Sequence, residues 1–120
     1  MPRVLYIEDD TNNRMLVRRI LMVEDIEVEE ADNAMKGIEM ALANPPDLIL
    51  MDMSMPEMDG LTATAKIRDM PQIAHIPIIA LTANVMEGDR ERTLNAGCDG
   101  FIGKPIDVDS FANQVVSYLR

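Results

Sequence analysis

The chain contains a single cysteine, Cys98, so no internal disulfide can form, which fits a reducing compartment. Its setting in Ala96-Gly97-Cys98 suggests a small buried hydrophobe rather than a reactive thiol. Tryptophan is absent and there are two Tyr and two Phe, so eleven methionines and the aliphatics must fill the core. The one histidine, His75, lies in Ile73-Ala74-His75-Ile76-Pro77, a loop setting that points to a surface role. A basic excess is also missing. Eleven Lys and Arg face 21 Asp and Glu, a net charge of −10, which argues against direct nucleic-acid binding. No apolar run approaches the roughly 20 residues of a membrane-spanning helix, and no signal-type segment opens the chain. A cytoplasmic protein without membrane attachment is expected. With 120 residues and no repeat, linker or low-complexity tract, residues 1–120 read as one domain.

Much of what is present is acid, unevenly spread. Residues 1–60 hold fourteen acids and five bases (−9), residues 61–120 seven acids and six bases (−1). A site that attracts a cation is therefore expected in the first half.

Three continuous apolar runs of strand length carry the pattern: Val4-Leu5-Tyr6-Ile7, Leu48-Ile49-Leu50-Met51 and Ile78-Ile79-Ala80-Leu81. Such runs suit strands buried on both faces of a parallel sheet. Glu27-Val28-Glu29-Glu30-Ala31 is polar enough to be an edge strand, and Phe101-Ile102 is a short one. Helices are expected between them. Thr11-Asn12-Asn13 offers capping residues, with Asp10 at the helix start, and Met15, Leu16, Arg19 and Ile20 follow at helical spacing with apolar dominance. Asn33 should cap a helix burying Met35, Ile38 and Leu42, stopped at Asn44-Pro45-Pro46-Asp47. A short helix covers 61–69, a thinly apolar one spans about 85–96, and the last opens at Asp107 and buries Val108, Phe111, Ala112, Val115 and Leu119. Repeating β-α five times with right-handed crossovers predicts an α/β, doubly wound (βα)5 flavodoxin-like three-layer sandwich, with sheet order 2-1-3-4-5.

In such a sheet all strand C-termini share one edge, the edge where ligands bind. Glu8, Asp9 and Asp10 follow the first strand, Asp52 ends the third, Thr82 the fourth, and Lys104 follows the fifth. Carboxylates about 4 Å apart repel by roughly 4 kcal/mol at an effective dielectric near 20. The cluster must hold a proton or a cation, and oxygen ligands at a small opening suit Mg²⁺. The methionines of Met51–Met58 are packing residues, because hard oxygen donors dominate there. A cation, the Thr82 hydroxyl and the Lys104 ammonium are what in-line phosphoryl transfer to the Asp52 carboxylate requires.

These residues resemble the receiver domain of two-component response regulators, over essentially the whole chain. Glu8-Asp9, Asp52 with Met55-Pro56-Glu57-Met58-Asp59-Gly60 behind it, Thr82-Ala83 and Gly103-Lys104-Pro105 carry the likeness. Arg3 to Asp10 and Ala74 to Ile106 are most similar to single-domain receivers of the chemotaxis and cell-cycle kind. The resemblance implies that Asp52 accepts a phosphoryl group from a histidine kinase or a histidine phosphotransfer protein. It implies Mg²⁺, with Mn²⁺ as an alternative, held by Asp9, Asp52 and the Ser54 carbonyl, with Glu8 acting through a bound water. Thr82 and Lys104 would contact the phosphoryl group, the Lys104-Pro105 bond would be cis, and Phe101 would be the switch aromatic. Ser54 and Asn84 stand where the family tunes dephosphorylation. The output surface would comprise the 85–96 helix, the fifth strand and the last helix, turned toward an unknown downstream protein. The first helix, with Asn12, Asn13, Leu16 and the Pro105-Ile106 turn, would meet the phosphodonor. The chain would be a monomer or a phosphorylation-dependent dimer, and no enzyme beyond its own phosphorylation and slow autodephosphorylation. Beginning at Met1 favours a receiver that is not internal to a hybrid kinase. Two departures stand out: Glu8 where Asp is commoner, and Phe101 without the hydroxyl of a Tyr.

Two other classes use the same acids. A metal-dependent phosphatase of the haloacid-dehalogenase type wants a second Asp two residues after its nucleophile, where this chain has Ser54. A degenerate receiver that only binds partners would not need the intact Asp52, Thr82 and Lys104 set.

Overall fold

The computed structural model describes residues 2–55, 58–83 and 87–119. Strands and helices alternate along the chain: β1 (Arg3–Ile7), α1 (Thr11–Val23), β2 (Glu27–Ala31), α2 (Ala34–Ala43), β3 (Leu48–Asp52), α3 (Gly60–Arg68), β4 (Ile78–Thr82), α4 (Glu87–Asn95), β5 (Gly100–Gly103) and α5 (Phe111–Leu119). The strands form one parallel sheet in the order β2-β1-β3-β4-β5, as the apolar and polar runs predict. The acidic β2 is an edge and the apolar β1, β3 and β4 are interior.

Strand alternation sends side chains to two separate cores. Leu5, Ile7, Ile49, Met51, Ile78 and Ala80 pack with Ala34, Ile38 and Ala41 of α2 and with Ala63 and Ile67 of α3. Val4, Tyr6, Leu48, Leu50, Ile79 and Leu81 pack with Val17 and Leu21 of α1 and with Phe111 and Val115 of α5. The two layers of helix hold the sheet rigid and fix where each strand ends.

Several helix details differ from the sequence expectation. The cap of α1 is Asp10, whose carboxylate accepts from the amides of Asn12 and Asn13, and not Thr11, Asn12 or Asn13. Helix α1 docks through Val17 and Leu21, one turn apart, leaving Met15 exposed. Asn33 caps α2 as expected. Helix α2 buries Ala34, Gly37, Ile38 and Ala41, while Met35 and Leu42 face outward. Closeness contributes: a Cβ on Gly37 would stand 2.4 Å from Ile7 Cδ1, so the lack of a side chain at position 37 lets α2 sit this near β1. Helix α5 starts at Phe111, after a turn in which the Asp107 carbonyl accepts from the amides of Ser110 and Phe111. Val108 of that turn is exposed, whereas Phe111 and Val115 are buried. Helix α3 begins at Gly60, one residue earlier than expected, under an Asp59 cap. Of the expected 85–96 helix, Val85 and Met86 lie outside the described residues. Leu94 is exposed there and Thr93 is buried, so the described side chains of this helix offer little apolar surface to the sheet.

Candidate functional site

Glu8 follows β1 immediately. Its amide donates to the Ala31 carbonyl of β2, which carries the ladder one residue past the strand and directs the side chain inward. Glu8 is 1% exposed, yet its carboxylate is well supplied with donors. Oε1 accepts from Tyr6 Oη at 2.9 Å, Lys104 Nζ at 3.0 Å and Asn13 Nδ2 at 3.3 Å. Arg14 Nη1 donates to the Glu8 carbonyl at 2.7 Å and ties the site to α1. Asp9 and Asp10 are exposed.

Asp52 ends the fully buried β3 and is itself 2% exposed. Its Oδ1 accepts from Lys104 Nζ at 2.8 Å and from the Ser54 amide at 3.3 Å. Lys104 therefore bridges the two buried carboxylates. Its own amide donates to the Thr82 carbonyl at 2.8 Å, which locks the end of β5 to the end of β4. The Lys104-Pro105 peptide is cis. Burial alone would lower the Lys104 pKa, but the hydrogen bonds to Asp52 and then Glu8 outweigh it and raise the ammonium above its usual range.

One carboxylate oxygen from each of Glu8, Asp9 and Asp52 lies within 4.8 Å of the others. Three acids this close, with one ammonium among them, form a hard-oxygen nest that suits a small divalent cation. Beside it, a cavity of about 180 Å³ is lined by Met53, Ser54, Asp59, Leu61, Thr82, Arg92 and Thr93. Thr82 and Ser54 thus share one opening. Asn84 lies outside the described residues, as do Pro56 and Glu57. Phe101 pairs in register with Ala80 and is half-buried against the α2/α3 core. His75 is exposed in the loop before β4, and Cys98 is buried.

Sequence reasoning missed the support around Glu8, namely Tyr6, Asn13 and Arg14. A signal was present for Tyr6. It interrupts an aliphatic run two residues before Glu8, and positions i and i+2 of an extended chain share a face.

The family model of the response regulator receiver domain matches residues 4–116. The chain is 39% identical over 120 residues to the polar-differentiation response regulator DivK of Brucella anthropi, covering 99% of this chain and 98% of that one. It is 38% identical over 116 residues to the DivK of Brucella abortus, covering 97% and 94%. Among solved structures it resembles the receiver domain of the sensor histidine kinase PA1611 of Pseudomonas aeruginosa, which has a magnesium ion coordinated in its active-site cleft. That match has a TM-score of 0.88 at 30% identity and covers 98% of this chain and 97% of that one. The chemotaxis response regulator CheY4 of Vibrio cholerae shares the fold with a TM-score of 0.93 at 24% identity, covering 98% of each chain.

Proposed function

The chain belongs to the receiver-domain family of two-component response regulators, and on that premise we propose that Asp52 is its phosphoacceptor. The observation that carries this reading is the Lys104 ammonium, 2.8 Å from Asp52 Oδ1 at the mouth of a three-carboxylate nest. An Asp52 oxygen attacks the phosphorus of a phosphohistidine on a histidine kinase or phosphotransfer protein. The new O–P bond forms as the P–N bond breaks, and the imidazole leaves. Charge spreads over the equatorial phosphoryl oxygens during this transfer, so catalysis is positioning plus electrostatics. Lys104 turns its ammonium to one such oxygen, and the Thr82 hydroxyl donates to another. Asp9, Asp52 and the Ser54 carbonyl would hold Mg²⁺, or Mn²⁺ in its place, with Glu8 acting through a bound water. When bound, the cation neutralises the phosphoryl charge.

The phosphoryl group makes contacts with Thr82 and Lys104 that exist only in one arrangement, so phosphorylation biases a two-state equilibrium. The responding surface comprises α4, β5 with Phe101, and α5, and it controls a downstream protein. Ser54 and Asn84 set how readily water removes the group. The protein works in the cytoplasm, as a monomer or a phosphorylation-dependent dimer, without touching nucleic acid, and catalyses nothing beyond its own phosphorylation and slow dephosphorylation.

The test is the intact mass after incubation with Mg²⁺ and acetyl phosphate, beside Asp52→Asn. A single alkali-labile phosphoryl adduct on the wild type, absent from the variant, is expected. No adduct on the wild type would reduce the chain to a partner-binding module, and an adduct on the variant would move the acceptor to another carboxylate.

A further inference from the structure

We infer that Tyr6 is a positioning residue for the cation site: its buried hydroxyl holds Glu8 in place when Lys104 is drawn to the phosphoryl group. The inference rests on the phosphoacceptor reading above. Tyr6 is 0% exposed, with its ring packed in the α1/α5 core, and Oη donates to Glu8 Oε1 at 2.9 Å. Three donors, from Tyr6, Lys104 and Asn13, converge on that single oxygen. Among the described residues none donates to Oε2, so this oxygen is the one left for a cation-bound water.

The three holders are not equivalent. Lys104 divides itself between Glu8 at 3.0 Å and Asp52 at 2.8 Å. Phosphoryl oxygens on Asp52 compete for its ammonium, and a divalent cation among the three acids repels it. Asn13 donates at 3.3 Å, near the long limit of a hydrogen bond, from the first turn of α1. The Tyr6 hydroxyl is closer, is fixed by a ring clamped in the core, and has no other polar partner among the described residues. It is also neutral, so it orients Glu8 without cancelling the negative charge that attracts the cation. A carboxylate already ordered by folding need not be ordered again on binding, and that preorganisation is gained as affinity. Apolar packing at position 6 would be met equally well by Phe, so the hydroxyl is the part that packing leaves unexplained.

The experiment compares wild type, Tyr6→Phe, Glu8→Gln and the double variant. Mg²⁺ affinity is read by calorimetry, and the Mg²⁺ dependence of phosphorylation is read with acetyl phosphate. Tyr6→Phe should raise the Mg²⁺ dissociation constant roughly tenfold, the low end for loss of an outer-shell partner. The rate at saturating Mg²⁺ should stay at the wild-type value, a split that general loosening of the fold would not produce. On the Glu8→Gln background, Tyr6→Phe should add nothing. Unchanged Mg²⁺ affinity in Tyr6→Phe, or an equal shift on both backgrounds, overturns the inference. If Tyr6→Phe fails to fold, Asn13→Ala probes the same oxygen from the surface. A smaller rise is expected there, and no rise counts against the arrangement. A wild type that binds Mg²⁺ but takes no phosphoryl group refutes the phosphoacceptor reading while leaving the Tyr6 comparison readable. A wild type that binds no Mg²⁺ overturns both.

Discussion

Gly60 is seated against the main-chain carbonyl of Asp52. A Cβ on Gly60 would stand 2.5 Å from that oxygen and 2.4 Å from Met53 Cε. Helix α3 therefore begins directly beside the end of β3, and any side chain at position 60 would press on the Asp52 main chain. Gly60→Ala should destabilise the protein by about 1–3 kcal/mol, as overpacking does, and should also slow phosphorylation of Asp52. Gly37→Ala is the control. Its Cβ would press on the end of the Ile7 side chain under α2 and not on the Asp52 main chain, so a smaller stability cost is expected. Denaturant midpoints with acetyl phosphate kinetics would separate the two, and equal rates in both variants would count against a backbone link to Asp52.

Removing the bridge between the buried acids should be costly. Lys104→Met leaves Glu8 and Asp52, 1% and 3% exposed at their side chains, without their ammonium. A loss of about 3 kcal/mol is expected in Mg²⁺-free buffer, since breaking a buried pair strands its partner. Because the folded Lys104 pKa is raised above 10.5, its contribution is complete below that pH and fades as the pH climbs through the folded value. Urea titrations across the alkaline range should show this loss in wild type and not in Lys104→Met.

Asp59 should behave in the opposite sense. Its carboxylate accepts from the Thr62 amide at 2.8 Å, and this bond holds its pKa below the usual 3.8. The cap is therefore at full strength above that value and is lost as the pH falls through the folded one. Asp59→Ala should cost about 1 kcal/mol at neutral pH and progressively less in acid. Stability curves that stay parallel down to the acid transition would rule out an ionised cap.

The thiol of Cys98 should be inert in the native protein. It is 5% exposed, lies 3.7 Å from Thr64 Oγ1, and burial pushes its pKa up. Ellman's reagent at mildly alkaline pH should react only after unfolding in guanidinium. Rapid labelling of folded protein would show that the contact between α3 and the segment leading into β5 opens.

The elements were legible because each signal was local. Continuous apolar runs mark β1, β3 and β4, the three glutamates Glu27, Glu29 and Glu30 mark β2 as an edge strand, and Asn33 marks the start of α2. Helix faces were less legible. Leu16 and Val17, or Met35 and Ile38, are equally apolar, and the stripe that docks depends on how near the helix comes to the sheet. On α2 Gly37 comes close against Ile7, and Ala34, Ile38 and Ala41 line the interface while Met35 faces outward. The site's principal acids and Lys104 could be read from strand ends, whereas the donors around Glu8 could not. Tyr6 reads as one more core residue until its hydroxyl is placed beside a carboxylate.

Periodicity and the polar residues at strand ends determined, from sequence alone, a parallel α/β sheet with acids, a hydroxyl and a lysine along one edge. That follows because strand direction and side-chain parity are local properties of the chain. Only the tertiary structure decided that one ammonium would serve two carboxylates. Lys104 is 52 residues from Asp52 and 96 from Glu8 along the chain, and the order β1-β3-β4-β5 with its register brings them within 3.0 Å. The choice of oxygen, the count of donors on it and the burial of Glu8 arise from side chains packed from three elements at once. No local pattern encodes a distance between groups so far apart in sequence.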